Sequence, residues 1–150
     1  MGTKLSTLSG GPVADLVPGD DLDVRVVVID GSEDRRQVTA HIVEQAEGVT
    51  VVGYADGPVR ALEAVARLGA NAVVLEVQLP VAQGLDTISA LRDDYPALVI
   101  IVCSFHGDAA TKRAAAARGA DQYLQKPLSP RELNASIRSA LKTRAGHLAS

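Results

Sequence analysis

Tryptophan is absent from this 150-residue chain, phenylalanine occurs once and tyrosine three times. Ring stacking on a flavin or similar cofactor therefore has only Phe105 and three tyrosines to draw on. Cysteine is equally scarce. The single Cys103 excludes an internal disulfide and a cysteine-only metal cage. It fits a reducing compartment, so the cytoplasm is the expected location. No apolar run approaches the roughly 18 to 20 residues of a membrane span, and the N-terminal stretch MGTKLSTLSGGPVADLVPGDD lacks the long apolar segment of a secretory signal. Neither membrane insertion nor export is expected. Excess charge is missing too. Lys+Arg of 15 against Asp+Glu of 18 gives a formal net charge of -3, without the basic footprint of a nucleic-acid binder, so no direct nucleic-acid partner is expected. The three histidines, His41, His106 and His147, are too far apart in sequence to show metal-ligand spacing.

What is present is a repeat of short apolar runs. Residues 1–22, rich in Gly, Ser, Pro and Asp, read as a flexible leader. From Asp23 onward VRVVVI (Val24–Ile29), VTVVGY (Val49–Tyr54), AVVL (Ala72–Leu75), LVIIVC (Leu98–Cys103) and DQYL (Asp121–Leu124) recur about every 24 residues, the period of a βα unit. Apolar on both faces and β-branched, they read as parallel strands covered by helices on both sides. Helical segments fill the intervals. Ser32 can cap the first, Asp56 with Pro58 can open the second, and the third follows Gly84 and stops before Pro96. The fourth is TKRAAAARG, ended by Gly119. The fifth opens with Ser129-Pro130-Arg131-Glu132 and runs to about Arg144, with Leu133, Ile137, Ala140 and Leu141 as its inner stripe.

Five strands alternating with five helices in one domain of 15.6 kDa predict an α/β, doubly wound, five-stranded parallel sheet of order 2-1-3-4-5. Residues 23–144 form the domain, and 145–150 a short C-terminal tail. In such a sheet chemistry collects at the carboxyl ends of the strands. The polar residues there are Asp30 after strand one, Glu76 after strand three, Ser104 after strand four and Lys126 after strand five. Two carboxylates, a hydroxyl and a lysine thus meet at one mouth.

With VVVIDG, the spacing Glu76-x-x-x-Pro80-x-x-x-Gly84, Cys103-Ser104 and GADQYLQKP (Gly119–Pro127), the chain resembles the receiver domain of bacterial response regulators, the CheY-like branch of the flavodoxin-like folds, over roughly Val24 to Arg144. The resemblance implies a phosphoryl acceptor at the end of strand three, charged by a histidine kinase with Mg²⁺ held by that carboxylate and an acidic pair after strand one. Carried over, Glu76 stands at the acceptor position, Asp30 and Gly31 at the acidic pair, Ser104 and Tyr123 at the switch positions, and Lys126 at the lysine. Lys126-Pro127 is the peptide bond that is cis in typical members. The partner or dimer surface of the family is the face of helix four, strand five and helix five.

Three departures bear on phosphorylation: Glu76 where aspartate is the norm, Gly31 where an acid is usual, and bulky Phe105 after the hydroxyl. The extra methylene of glutamate displaces the attacking oxygen by roughly 1.5 Å. Without an acid at position 31, Asp30 and Glu76 are weak metal candidates, and no cofactor is expected, Mg²⁺ included. The expected function is that of an atypical, stand-alone receiver: a non-enzymatic protein-binding module independent of phosphorylation. Homodimerisation and a histidine kinase are candidate partnerships. A phosphorylatable two-component receiver and a metabolite-binding flavodoxin-like module are the alternatives. Glu76–Lys126 could equally be an ordinary strand-end ion pair, and Tyr123 a half-buried aromatic. Cys103 reads as a core residue, His106 as an exposed loop residue, and Arg131, Arg138, Lys142 and Arg144 as a solvated face. Glu33 and Asp34 read as acids at a helix N-terminus, either of which could lean into the site in place of an acid at 31.

Overall fold

The computed structural model describes residues 23–78, 81–105 and 107–149. The expectations for the 1–22 leader, for Pro80 and for His106 lie outside those residues. In chain order the elements are β1 (Val24–Ile29), α1 (Glu33–Glu44), β2 (Val49–Ala55), α2 (Pro58–Leu68), β3 (Ala72–Glu76), α3 (Val81–Asp94), β4 (Val99–Ser104), α4 (Ala109–Arg118), β5 (Gln122–Gln125) and α5 (Pro130–Ala149). The strands form one five-stranded parallel sheet in the order β2-β1-β3-β4-β5, the predicted doubly wound topology.

The both-faces-apolar strands divide their side chains by parity. Val24, Val26 and Val28 of β1 with Ala72 and Val74 of β3 join Val43 of α1 and Leu133, Ile137, Ala140 and Leu141 of α5 in one buried layer. Val27, Ile29, Val73 and Leu75 join Ala61 and Val65 of α2, Ile88 and Leu91 of α3 and Ala115 of α4 in the other. The stripe predicted for the last helix is therefore its buried face. No helix of the described residues is long and apolar enough to cross a membrane.

Helix ends follow local chemistry, with corrections. Ser32 accepts from Arg35 N at 3.3 Å and Ser129 from Glu132 N at 3.3 Å, as expected of caps. Asp56 does not cap α2. Gly57 holds that position without a side-chain bond and Pro58 supplies the first helical residue, while Asp56 forms an exposed pair with Arg60 at 3.8 Å. Helix α3 starts at Val81 instead of after Gly84. Gly84 lies inside its first turns because a Cβ there would stand 2.3 Å from the Val77 carbonyl oxygen; it marks a close approach and not a break. Helix α4 begins at Ala109, two residues before Thr111, because Asp108 caps it by accepting from Thr111 N at 2.8 Å. Helix α5 continues to Ala149, since Arg144 is tied down and the following AGHLA carries no proline to stop it.

Two further expectations change. Asp121 precedes β5 instead of opening it. Its carboxylate accepts from Ile100 N at 2.8 Å and pairs with Arg92 at 2.9 Å and Arg144 at 2.8 Å. Arg144 is thus not part of a solvated face, and Arg138 donates to Asn134 at 3.0 Å and to the Glu47 carbonyl at 3.2 Å. Arg131 and Lys142 are exposed.

Candidate functional site

Strand β1 ends at Ile29, so the chain delivers Asp30 to the carboxyl edge of the sheet, where its side chain is buried to 1% exposure. Glu76 is the last residue of β3, paired in register with Cys103, and is 4% exposed. Buried carboxylates require partners, and both have them. The Glu76 Oε1 atom lies 3.0 Å from Lys126 Nζ, and Gln78 N donates to Oε2 at 3.2 Å. Lys126 follows β5, and its side chain is only 8% exposed. It also sits 5.4 Å from the centre of the Phe105 ring, which is exposed above it. The Lys126–Pro127 bond is cis.

Asp30 is held by a residue that the sequence reading did not single out. Arg35, in the first turn of α1, grips it through two atoms: Nη2 to Oδ1 at 2.7 Å and Nε to Oδ2 at 3.0 Å. Ser32 N donates to Oδ1 at 2.9 Å, and Arg36 Nη1 donates to the Asp30 carbonyl oxygen at 2.7 Å. The Asp30 hydrogen bond, aided by the fields of Asp30 and Glu76, raises the Arg35 pKa further above its ordinary value. Gly31 brings no side chain, and Glu33 and Asp34 stay on the exposed side of α1. Asp34 lines the cavity beside the site, but it is Arg35 that bonds Asp30.

On the far side of the mouth, fully buried Ser104 ends β4 and is hydrogen-bonded to Tyr123 of β5. The Tyr123 ring is half-buried against the α2–α3–α4 layer, with Lys112 Nζ 5.7 Å from its centre. Burial pushes its phenol up, and the Ser104 bond opposes the shift. Cys103 is buried, its thiol pushed up to about 12 by desolvation. A core role, and not a reactive one, follows. Beside the site is a cavity of about 330 Å³, lined by Arg35, Val38, Ile42, Phe105, Lys126 and Leu128 among others.

The sequence profile of the response regulator receiver domain matches residues 26–138. The chain belongs to the receiver family. This receiver is 30% identical over 122 residues to protein-glutamate methylesterase/protein-glutamine glutaminase 3 of Hahella chejuensis, a match covering 79% of this chain and 35% of that protein. It is 31% identical over 123 residues to the DNA-binding response regulator MtrA of Mycobacterium bovis, covering 82% of this chain and 53% of the regulator. It thus spans about a third and about half the length of these two relatives. The crystal structure of the response regulator domain of Thermotoga maritima CheB superimposes with a TM-score of 0.68 at 25% identity, covering 79% of this receiver and 96% of that chain.

Proposed function

We propose that this receiver is a non-enzymatic, cytoplasmic signalling module that binds protein partners without being phosphorylated. The observation that carries the reading is the state of Glu76. A carboxylate that attacks phosphorus needs an oxygen free and in line, and small displacements cost large rate factors. Both Glu76 oxygens are engaged, one by Lys126 and one by Gln78 N, and the side chain is one methylene longer than aspartate. Partner recognition then belongs to the standing surface of α4, β5 and α5, open to a protein partner or a second copy of the chain. The net charge of -3 argues against direct DNA binding.

Receiver membership itself favours a second reading, a phosphorylatable module served by a histidine kinase. Incubation with acetyl phosphate and Mg²⁺ followed by intact-mass measurement separates the two. An unchanged mass is expected; a phosphoryl adduct that disappears in Glu76→Gln overturns the first reading.

A further inference from the structure

We infer that Arg35 is the resident cation of the acidic pocket, its guanidinium standing against Asp30 in place of a divalent metal ion. The inference rests on the reading of the site as one that does not run phosphoryl transfer, and it names what fills the pocket instead. Mg²⁺ demands near-octahedral coordination by oxygens at about 2.0–2.1 Å. With Arg35 in place the donor set does not fit. Position 31 offers no carboxylate, and among the described residues no three His, Cys, Asp or Glu side chains gather in a way that could hold an ion. Each of the four oxygens of Asp30 and Glu76 already accepts from a nitrogen at 2.7–3.2 Å.

Charge leads to the same conclusion. Asp30 and Glu76 carry two negative charges, and Arg35 and Lys126 two positive ones. A dication would add two more to a set of four charges that already balances. A guanidinium suits this place because its planar fork matches a carboxylate through two parallel bonds, whereas a metal ion would have to displace Arg35 from Oδ1 and Oδ2 together. The chain also builds the arm that delivers it. Ser32 caps α1 on Arg35 N while its own N–H binds Asp30, so carboxylate and guanidinium are set by one turn of backbone. Arg36 anchors the same turn through the Asp30 carbonyl.

Metal and Arg35 are therefore mutually exclusive on Asp30. The test is a Mg²⁺ titration of the full chain without any phosphodonor, at matched ionic strength, followed by backbone amide NMR and by thermal melting. In the wild type the Gly31, Ser32 and Gln78 amides are expected to stay in place at millimolar Mg²⁺, with no change in Tm. In Arg35→Ala the same amides should move saturably and Tm should rise with Mg²⁺, a response lost when Asp30→Asn is added. Arg35→Met, which keeps the apolar stem along the cavity wall, replaces Arg35→Ala if that variant does not fold. Saturable movement in the wild type, or none in the folded Arg35 variant, overturns the inference. Because no phosphoryl group is present, either result leaves the acetyl phosphate experiment to judge the broader reading separately.

Discussion

At the scale of the residue, the first turn of α1 brings Arg35 onto Asp30 through two bonds, at 2.7 and 3.0 Å. The strand-end residues Asp30, Glu76, Ser104 and Lys126 were legible because each closes or follows an apolar run. Arg35 stands in the polar stretch SEDRRQ, where one more charge looks like solvated surface. A signal was nonetheless there. The first turn of a helix carries the positive end of the macrodipole and disfavours cations; Glu33 and Asp34 offset this in part, and Asp30, five residues before Arg35, is the further carboxylate in reach. Cys103 was legible as a core residue, and its ionisation makes that testable. Its thiol moves from an ordinary 9.0 to about 12 in the fold. A raised acid contributes stability that is fully present below the unfolded value and lost as pH climbs through the folded one, because the unfolded chain gives up its proton first. Thermal melts should therefore fall between pH 9 and about 12 more steeply in the wild type than in Cys103→Val. Iodoacetamide at neutral pH should label the thiol only after denaturant is added. Equal labelling of native and unfolded protein would refute this placement.

At the scale of the element, three segments meet on one ion-paired cluster. Arg92, near the end of α3, donates Nη1 to the Leu98 carbonyl at 2.7 Å and Nη2 to the Gly119 carbonyl at 2.8 Å, besides pairing with Asp121. Asp121 in turn receives Arg144 from α5. Gly119 closes α4 at φ 116, and a Cβ there would lie 2.7 Å from Arg92 Cγ, so conformation and space both require glycine. Sequence patterning placed α3, α4 and β5 to within a few residues but could not join them, since the contacts span 23 to 29 positions. Arg92→Ala leaves a largely buried carboxylate with one partner removed and several carbonyls unmet. A loss of about 2–4 kcal/mol is expected in urea unfolding. Arg92→Lys should recover only part of it, because an ammonium cannot reach all these acceptors at once. A change within about 0.5 kcal/mol for Arg92→Ala would show the cluster to be ornamental to stability.

At the scale of the molecule, the two apolar layers share the same five strands, so neither can come apart alone. Ile137→Ala opens a cavity between α5 and the sheet and is expected to cost about 2–4 kcal/mol. The urea curve should remain a single transition with an unchanged slope. A separate early phase assigned to α5 would contradict the shared-sheet arrangement. This architecture was visible in advance because five short runs at an even period, four of them β-branched, leave few topologies open. Its edges were not, since register at strand ends shifts by a residue without disturbing the pattern: β2 reaches Ala55, and β5 runs Gln122–Gln125 instead of Asp121–Leu124.

That last strand carries a consequence for how the molecule meets others. β5 is the outermost strand on its side of the sheet, four residues long, with an exposed glutamine at each end and Pro127 two residues beyond. A long, flat, apolar border invites a foreign strand to extend the sheet and seeds aggregation; a border this short, polar and proline-stopped gives an incoming backbone little to zip onto. Contact on that flank is left to side chains, which select what they touch, and the sheet ends where the fold does.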